Sequence, residues 1–403
     1  MSTNKTKMTK FNEFSILLIP IVWFFCNAAV APSLGALAQH FPAASDFQLK
    51  MVLSITSLTS VAFSVISGKL AKRFDKKNIV MLGLFIYGLG GISTAFAVTI
   101  NQVLLLRLVT GVGVGLVLPL PGAIVAENFE GERRSRLLGL CTSTANIANV
   151  LTSIAVGFLL VYGWQYPFYA FALSFVLVFT TLIGVPKAPP VKELKTAVKG
   201  PKESLSGSIY LLGFLMVLAW MTHVVLVSNV ALFWMRENLG PVSLLGVVLS
   251  LSAAASIVSG AVYPEAARIF KKYLAFVALA AFGIGFAFLY AAQSTPGVFI
   301  GCLMEGLGFG IIVPFIFDLT SKKAKDSQKD MAFGVVSGCM HLGGLLSPFI
   351  QVAYSSLGNN ASVRFLFLVC AVEVAVAAVI AVFIALRIKN NAAEQKDFES
   401  EII

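Results

Sequence analysis

Long apolar runs alternate with short polar turns along almost the whole chain. Each run has about 20 residues, the length that a helix needs to cross the roughly 30 Å hydrocarbon core of a bilayer. The runs cover about 14–39, 50–71, 78–98, 103–126, 137–161, 167–186, 208–235, 244–267, 273–293, 298–320, 332–355 and 362–387. The pattern predicts an all-α membrane protein with twelve transmembrane helices.

The amino-acid composition also indicates a membrane protein. Of 403 residues, 58% are hydrophobic and 12% are charged, whereas soluble domains have roughly 25% charged residues. This excludes a soluble globular protein. The five cysteines all fall inside predicted helices and form no CxxC pair. We interpret them as small packing residues, and expect no disulfide, metal or cofactor.

The basic residues are distributed unevenly between the two faces of the predicted helical array. Of the 30 Lys and Arg residues, 26 lie in the two chain ends and in the alternate turns that share a face with them. Positive charge marks the cytoplasmic side of membrane proteins. We therefore predict a multi-pass protein of the cell membrane with both termini cytoplasmic. The net charge of +11 then reflects topology, and we expect no nucleic acid partner.

The N-terminal segment also resembles a cleavable signal peptide. Lys5, Lys7 and Lys10 precede an apolar stretch that contains Ala29-Val30-Ala31, which imitates a cleavage site. The apolar run continues past that point, and the internal repeat described next needs this helix. We therefore predict that the segment is retained as the first span.

The two halves of the chain repeat at one offset. Gly111–Pro119 (GVGVGLVLP) returns as Gly306–Pro314 (GLGFGIIVP), 195 residues later. The same offset relates Arg73 to Arg268, and the register holds across four helices and a charged turn. A constant register of this kind indicates an internal repeat. The sequence predicts two pseudo-symmetric six-helix bundles that rock about a site at the membrane midplane.

This repeat sets the predicted domain boundaries. The N-terminal bundle covers 1–185 and the C-terminal bundle covers 208–390. A Lys-, Pro- and Ser-rich segment at 186–207 joins them as a flexible cytoplasmic linker. Residues 391–403 form a cytoplasmic tail.

The turn after the second span carries a glycine and a basic cluster, and the fourth span carries an arginine followed by Thr110 and Gly111. These features resemble the signature loop and the intramembrane arginine motif of the major facilitator superfamily. The resemblance covers essentially the whole chain, and implies the fold and alternating access. It also implies gating roles for Gly68, Arg73, Asp75, Lys76 and Lys77. Glu127 and Asp318 are further gating candidates because they lie at the inner ends of the fourth and tenth spans.

The chain departs from that family pattern in two places. Lys72 stands at the usual acidic position of the loop, so Asp75 or Glu127 is the candidate ionic partner for Arg73 or Arg133. The fifth span lacks the proline of the drug/proton antiporter signature. The resemblance therefore supports the fold more strongly than the antiporter subgroup.

A few ionisable residues lie inside predicted spans, where a charge costs a few kcal/mol. Arg107 keeps its proton, so it needs a carboxylate, a carbonyl or a substrate anion as partner. Glu305 is a candidate proton carrier because burial favours a neutral carboxyl group. Imidazole titrates at about pH 6.5, which makes His341 a second proton-coupling candidate. His223 is a candidate substrate contact.

Neutral polar and aromatic side chains occur at similar depth. They either form hydrogen bonds between helices or contact a substrate, and both interpretations stay open. The substrate-contact candidates among them are Asn27, Asn146, Asn149, Asn229 and Trp220.

We expect a monomeric secondary transporter that moves a small organic molecule. The glycine-rich motif lacks the flanking strand of a dinucleotide site, and no phosphate-binding lysine loop occurs, so we expect no enzyme activity. Proton-coupled export is the favoured hypothesis because the spans are mostly apolar. Proton-coupled uptake or facilitated transport of a small organic acid, and a non-transporting sensor or scaffold on the same fold, remain alternatives.

Overall fold

The protein was analysed as a computed structural model that describes residues 9–129, 131–187, 205–325, 328–360 and 362–387. The chain divides into two compact units. Unit 1 comprises Met1–Lys199 with Val242–Val247, and unit 2 comprises Gly200–Pro241 with Val248–Ile403. Most of the predicted linker at 186–207, and all of the predicted tail at 391–403, lie outside the described residues.

Unit 1 is built from ten helical segments, which form the first six predicted spans. They are α1 (Lys10–Leu18), α2 (Ile21–Ala28), α3 (Leu34–His40), α4 (Asp46–Leu70), α5 (Lys76–Ser93), α6 (Ile100–Val117), α7 (Leu120–Asn128), α8 (Gly131–Leu159), α9 (Tyr166–Tyr169) and α10 (Leu173–Gly184). Helix α6 packs against both α4 and α5, and α2 packs against α8.

The first predicted span is interrupted twice, between α1 and α2 and between α2 and α3. Pro20 stands at the first interruption and Pro32 at the second. Proline has no N–H to donate to the carbonyl one turn earlier, and its ring clashes with that carbonyl. The apolar run therefore predicts the position of this span but not its division into three pieces.

Unit 2 contains the helices of the other six spans. They are α11 (Gly207–Arg236), α12 (Leu245–Ala261), α13 (Tyr263–Phe270), α14 (Leu274–Ala291), α15 (Thr295–Lys323), α16 (Lys329–Leu357) and α17 (Val363–Arg387). Helix α14 packs against α15 and α17, and α11 packs against α16. The first three residues of α12 group with unit 1.

Eleven helical segments in the described part of the chain are long and apolar enough to cross a membrane. The interrupted segment α1–α3 corresponds to the remaining predicted span. The all-α class with twelve membrane helices is thereby confirmed.

Glycines allow the close approach of equivalent helices in both units. A Cβ atom on Gly113 in α6 would overlap the backbone of Gly83 and Tyr87 in α5. A Cβ atom on Gly308 in α15 would overlap the backbone of α14 at Ala278 and Phe282, the positions 195 residues later. The glycine repeat thus specifies the same helix–helix contact twice, since only a residue without a side chain fits there.

Candidate functional site

A buried carboxyl group and an imidazole meet inside unit 2. Glu305 on α15 is 0% exposed, and its Oε1 lies 2.7 Å from Nδ1 of His223 on α11. The hydroxyl of Ser252 on α12 donates to Oε2 of the same carboxyl group at 2.6 Å. Three helices therefore position one titratable pair.

The local sequence explains this placement. Gly285 on α14 leaves room for the backbone of Glu305, because a Cβ atom there would overlap its nitrogen and Cα. The ring of His223 stacks on Phe309 with a centroid distance of 3.9 Å and an interplanar angle of 7°. Trp220 packs against both rings. The imidazole is held in one orientation toward the carboxyl group.

The pair is accessible from one end only. The His223 side chain is 17% exposed, whereas that of Glu305 is fully buried. Both carboxyl oxygens of Glu305 are engaged by neutral or titratable groups, and neither by a Lys or Arg of the described residues. The site thus joins a buried carboxyl group to a partly exposed imidazole, with no Lys or Arg of the described residues bonded to the carboxyl group.

Unit 1 places a guanidinium group in an equally buried position. Arg107 on α6 is 0% exposed. Its Nε donates to the carbonyl of Val52 at 3.1 Å, and its Nη2 contacts the carbonyl of Cys26 at 3.4 Å and its Sγ at 3.2 Å. Its Nη1 has no hydrogen-bond partner within the described ranges. Arg107 is thus tied to α2 and α4 by neutral groups.

An apolar cavity of about 330 Å³ lies elsewhere in unit 1. It occurs where two helices are interrupted, at the α1–α2 break and at the α6–α7 break. Its lining is almost wholly hydrocarbon, with Cys141 as its one thiol; the residues are Ile19, Pro20, Val22, Val114, Val117, Leu118, Pro121, Gly122, Leu138, Cys141 and Ala145. Such a surface suits the apolar part of an organic molecule.

The neutral polar candidates divide into two groups. Asn229 is fully buried, and its amide donates to Gln351 Oε1 at 2.7 Å. Gln351 in turn contacts Ser228 and Ser347, so this network joins α11 to α16. Asn27, Asn146, Asn149 and Trp220 are instead partly exposed.

Charged side chains at the ends of helices form ion pairs and hydrogen bonds with residues that lie close to them in space. Lys76 at the start of α5 is buried, and its Nζ lies 2.6 Å from Glu127 on α7. Asp75 caps α5 by accepting from the Lys77 backbone N–H at 2.9 Å. In unit 2, Asp318 accepts from Lys322 at 2.7 Å and from the hydroxyl of Tyr263 at 2.9 Å. These contacts tie neighbouring segments together.

The ion pairs of the structure differ from those predicted for Glu127. Glu127 binds Lys76 rather than Arg73 or Arg133, and Arg133 binds Glu13 instead. Spacing along the chain could not show this, because the partners lie on different segments. Gly68 and Arg73 are exposed.

The structure also brings together two candidates to which the sequence gives separate roles. Glu305, predicted as a proton carrier, is bonded to His223, predicted as a substrate contact, and to Ser252. The sequence does not single out Ser252, Tyr87 or Gln351, although a glutamine inside an apolar helix is a signal that could have identified Gln351.

Comparison with known proteins gives the family. The sequence matches the profile of the Major Facilitator Superfamily over residues 16–348 and again over 209–401. The chain belongs to the Major Facilitator Superfamily. It is a multi-pass membrane transporter and not an enzyme, and the resemblance seen in the sequence is confirmed.

Individual relatives are distant. The chain is 26% identical to the multi-drug resistance efflux pump PmrA of Streptococcus pneumoniae, over 81% of this chain and 86% of that protein. It is 22% identical to the putative niacin/nicotinamide transporter NiaP of Bacillus subtilis, over 83% and 86%. The match to multidrug resistance protein 3 of Bacillus subtilis is 26% identical and spans only 37% of this chain and 29% of that protein.

The fold has solved counterparts. A bacterial homologue of the human lysosomal transporter Spinster superposes with a TM-score of 0.78 at 14% identity, over 96% of this chain and 98% of that one. An identity this low supports the fold alone.

Proposed function

We propose that this transporter exports a small, largely apolar organic molecule in exchange for protons, by alternating access. It would act as a monomer in the cell membrane, with both termini cytoplasmic. The observation that carries the proposal is the Glu305–His223 pair, a buried carboxyl group bonded to a partly exposed imidazole. His341 is retained as a further candidate for proton coupling.

The proton step follows from the geometry of the pair. When Glu305 is ionised, it accepts hydrogen bonds from the Ser252 hydroxyl and from a protonated Nδ1 of His223. When it is protonated, its charge is gone and the acid can donate to the imidazole. The two states differ by one charge in a low-dielectric interior, so they favour different surroundings. A conformational change that alters those surroundings would release or bind the proton.

The export direction rests on the apolar cavity in unit 1 and on one relative. A lining of Val, Leu, Ile and Pro side chains suits a lipophilic molecule. The relative PmrA bears the name of an efflux pump and aligns over most of both chains. The substrate contacts in this proposal are Arg107, Asn27, Asn146, Asn149, Trp220 and Asn229, and the gating set keeps Gly68, Arg73, Asp75, Lys76, Lys77, Glu127 and Asp318.

Transport of a small organic acid is the second candidate. The relative named as a niacin/nicotinamide transporter favours it, and so does the buried cation of Arg107. In that case protons and substrate would move in the same direction.

Flux into proteoliposomes separates the two. With ethidium as the lipophilic probe, an acidic lumen should drive accumulation in the lumen, and an alkaline lumen should not. Glu305→Gln should reduce this response at least about tenfold, because the amide keeps the hydrogen-bonding shape but cannot exchange a proton.

The matched control is Glu373→Gln, whose carboxyl group accepts from the Tyr354 hydroxyl on α16 and lies outside the proposed machinery. It should respond like the native protein. Ethidium binding to purified Glu305→Gln shows whether that variant is folded. Benzoate accumulation driven by an alkaline lumen, above that of protein-free liposomes and without ethidium transport, would overturn the export proposal in favour of acid uptake.

A further inference from the structure

The positive charge of Arg107 in unit 1 is not balanced by an anionic contact among the described residues. Arg107 is fully buried and cannot lose its proton. Its partners in the described part of the chain are two carbonyl groups and a thiol, all neutral. A buried guanidinium without a counter-ion is unfavourable, and a bound anion would offset that cost.

Two buried side chains of unit 1 carry hydrogen-bond donors that have no acceptor among the described residues. The two N–H groups of Arg107 Nη1 have no partner among the described residues, and neither has the hydroxyl of Tyr87 on α5. Tyr87 is 2% exposed. Leaving such groups unsatisfied in a buried site costs about 1–3 kcal/mol each.

The two side chains belong to one neighbourhood. Tyr87 packs against Phe171 at a centroid distance of 5.1 Å, and Phe171 packs against Phe25, the residue before Cys26. Cys26 in turn contacts Nη2 of Arg107. Two aromatic side chains therefore connect the surroundings of Tyr87 with the Arg107 contact at Cys26, and an apolar setting strengthens the interaction of a buried donor with a negative charge.

We infer that Arg107 Nη1 and Tyr87 Oη together bind a small monovalent anion inside unit 1. The chemistry is that of a halide or of a carboxylate group, which could be chloride or the acidic end of a transported molecule. This inference deepens the substrate-contact role proposed above for Arg107. It requires no proton coupling.

Thermal unfolding of the purified full-length protein tests the site without any pH gradient, so its result is independent of the coupling proposal. The background salt is sodium sulfate at constant concentration, because sulfate is divalent and carries no carboxylate group. Added sodium chloride, or sodium benzoate compared with neutral benzamide, should raise the melting temperature with a saturable dose dependence. Chloride alone would assign a halide site, benzoate alone a carboxylate site, and both a shared anion site.

Two variants connect the effect to these atoms. Tyr87→Phe removes one donor without changing charge and should weaken the apparent anion affinity at least about tenfold, since a hydrogen bond to a charged group is stronger than one between neutral groups. Arg107→Gln should abolish the effect. The control Tyr162→Phe, at a tyrosine that is 73% exposed, should leave the affinity unchanged.

Several outcomes would overturn the inference. If neither chloride nor benzoate stabilises the native protein above the sulfate background and benzamide, no small monovalent anion binds at these donors. The same holds if Tyr87→Phe lowers the melting temperature equally in every salt and leaves the anion affinity unchanged, because Tyr87 would then be a packing residue only. Tyr87→Phe keeps the test decisive if Arg107→Gln fails to fold.

Discussion

Units 1 and 2 bring corresponding helices together through the same glycines but bury opposite chemistry beside them. Gly113 and Gly308 admit the backbones of α5 and α14 at positions that differ by 195 residues. At that offset, Thr110 stands where unit 2 has Glu305, and Cys302 stands where unit 1 has Arg107. Unit 1 thus holds a buried cation and unit 2 a buried acid. The close backbone contacts require glycine in both units, whereas the polar positions beside them differ between the units.

The equivalent prolines show a second difference. Pro119 separates α6 from α7, whereas Pro314 lies inside the continuous helix α15. Unit 1 has another proline at 121, so two backbone donors are missing within one turn. A single missing donor is tolerated in a long membrane helix because neighbouring helices stabilise it. The break in unit 1 borders the apolar cavity, and unit 2 has no break at that position.

The largest effect is expected where the two units are alike. Gly113→Ala and Gly308→Ala should each cost about 3 kcal/mol, because the added Cβ meets backbone atoms that cannot move aside. Gly139→Ala and Gly334→Ala, related by the same offset, face open space and should be neutral or slightly stabilising. Thermal unfolding in detergent measures all four. A loss in one unit only would contradict equivalent packing.

A smaller loss of stability is expected when the hydrogen-bond network of Asn229 and Gln351 in unit 2 is disrupted. Gln351→Val should cost about 1 kcal/mol, because it removes the hydrogen bond from the Asn229 amide to Gln351 and leaves only acceptors on α11 itself. Unit 1 has Val156 and Leu34 at the equivalent positions. Adding Asn229→Leu should therefore recover most of the loss, since replacing both partners by apolar groups is nearly neutral. Additive losses in a double-mutant cycle of unfolding free energies would show that the two residues do not interact.

The smallest effect concerns the charged helix ends. Lys76→Ala should lower the unfolding free energy by up to about 1 kcal/mol, because its buried ammonium joins α5 to α7. Lys322→Ala should cost at most about 0.5 kcal/mol, because its ion pair with Asp318 spans one turn of a single helix. Equal losses in chemical unfolding would mean that the pair in unit 1 does not tie its helices together. The charge swap of Lys76 and Glu127 should restore part of the loss.

Much of the architecture could be predicted because it depends on local patterns. Apolar runs of membrane length predicted the spans, and the glycine register predicted which helix faces are equivalent. The same reasoning failed for the interrupted first span, since a run of apolar residues looks the same whether or not Pro20 and Pro32 break the helix. It also assigned Glu127 to arginine partners, because spacing in the sequence does not show which lysine on another helix faces it.

The site was predicted in part for the same reason. Glu305, His223 and Arg107 were recognised individually because any ionisable residue in an apolar run needs an explanation. Their partners were not recognised. The sequence does not distinguish Ser252 and Tyr87 from other residues of apolar helices, and only their contacts in three dimensions indicate a role for them.

The sequence by itself determined the class of protein, the number of membrane helices and the repeat that relates its two halves, because hydrophobic length and glycine spacing act along the chain. Only the tertiary structure decided that Glu305 is bonded to His223 and Ser252, and that Arg107 contacts neutral groups and leaves one nitrogen without a partner among the described residues. Those outcomes depend on which side chains meet across helices, and hydrogen-bond partners in a low-dielectric interior are set by distances of about 3 Å between residues far apart in the chain.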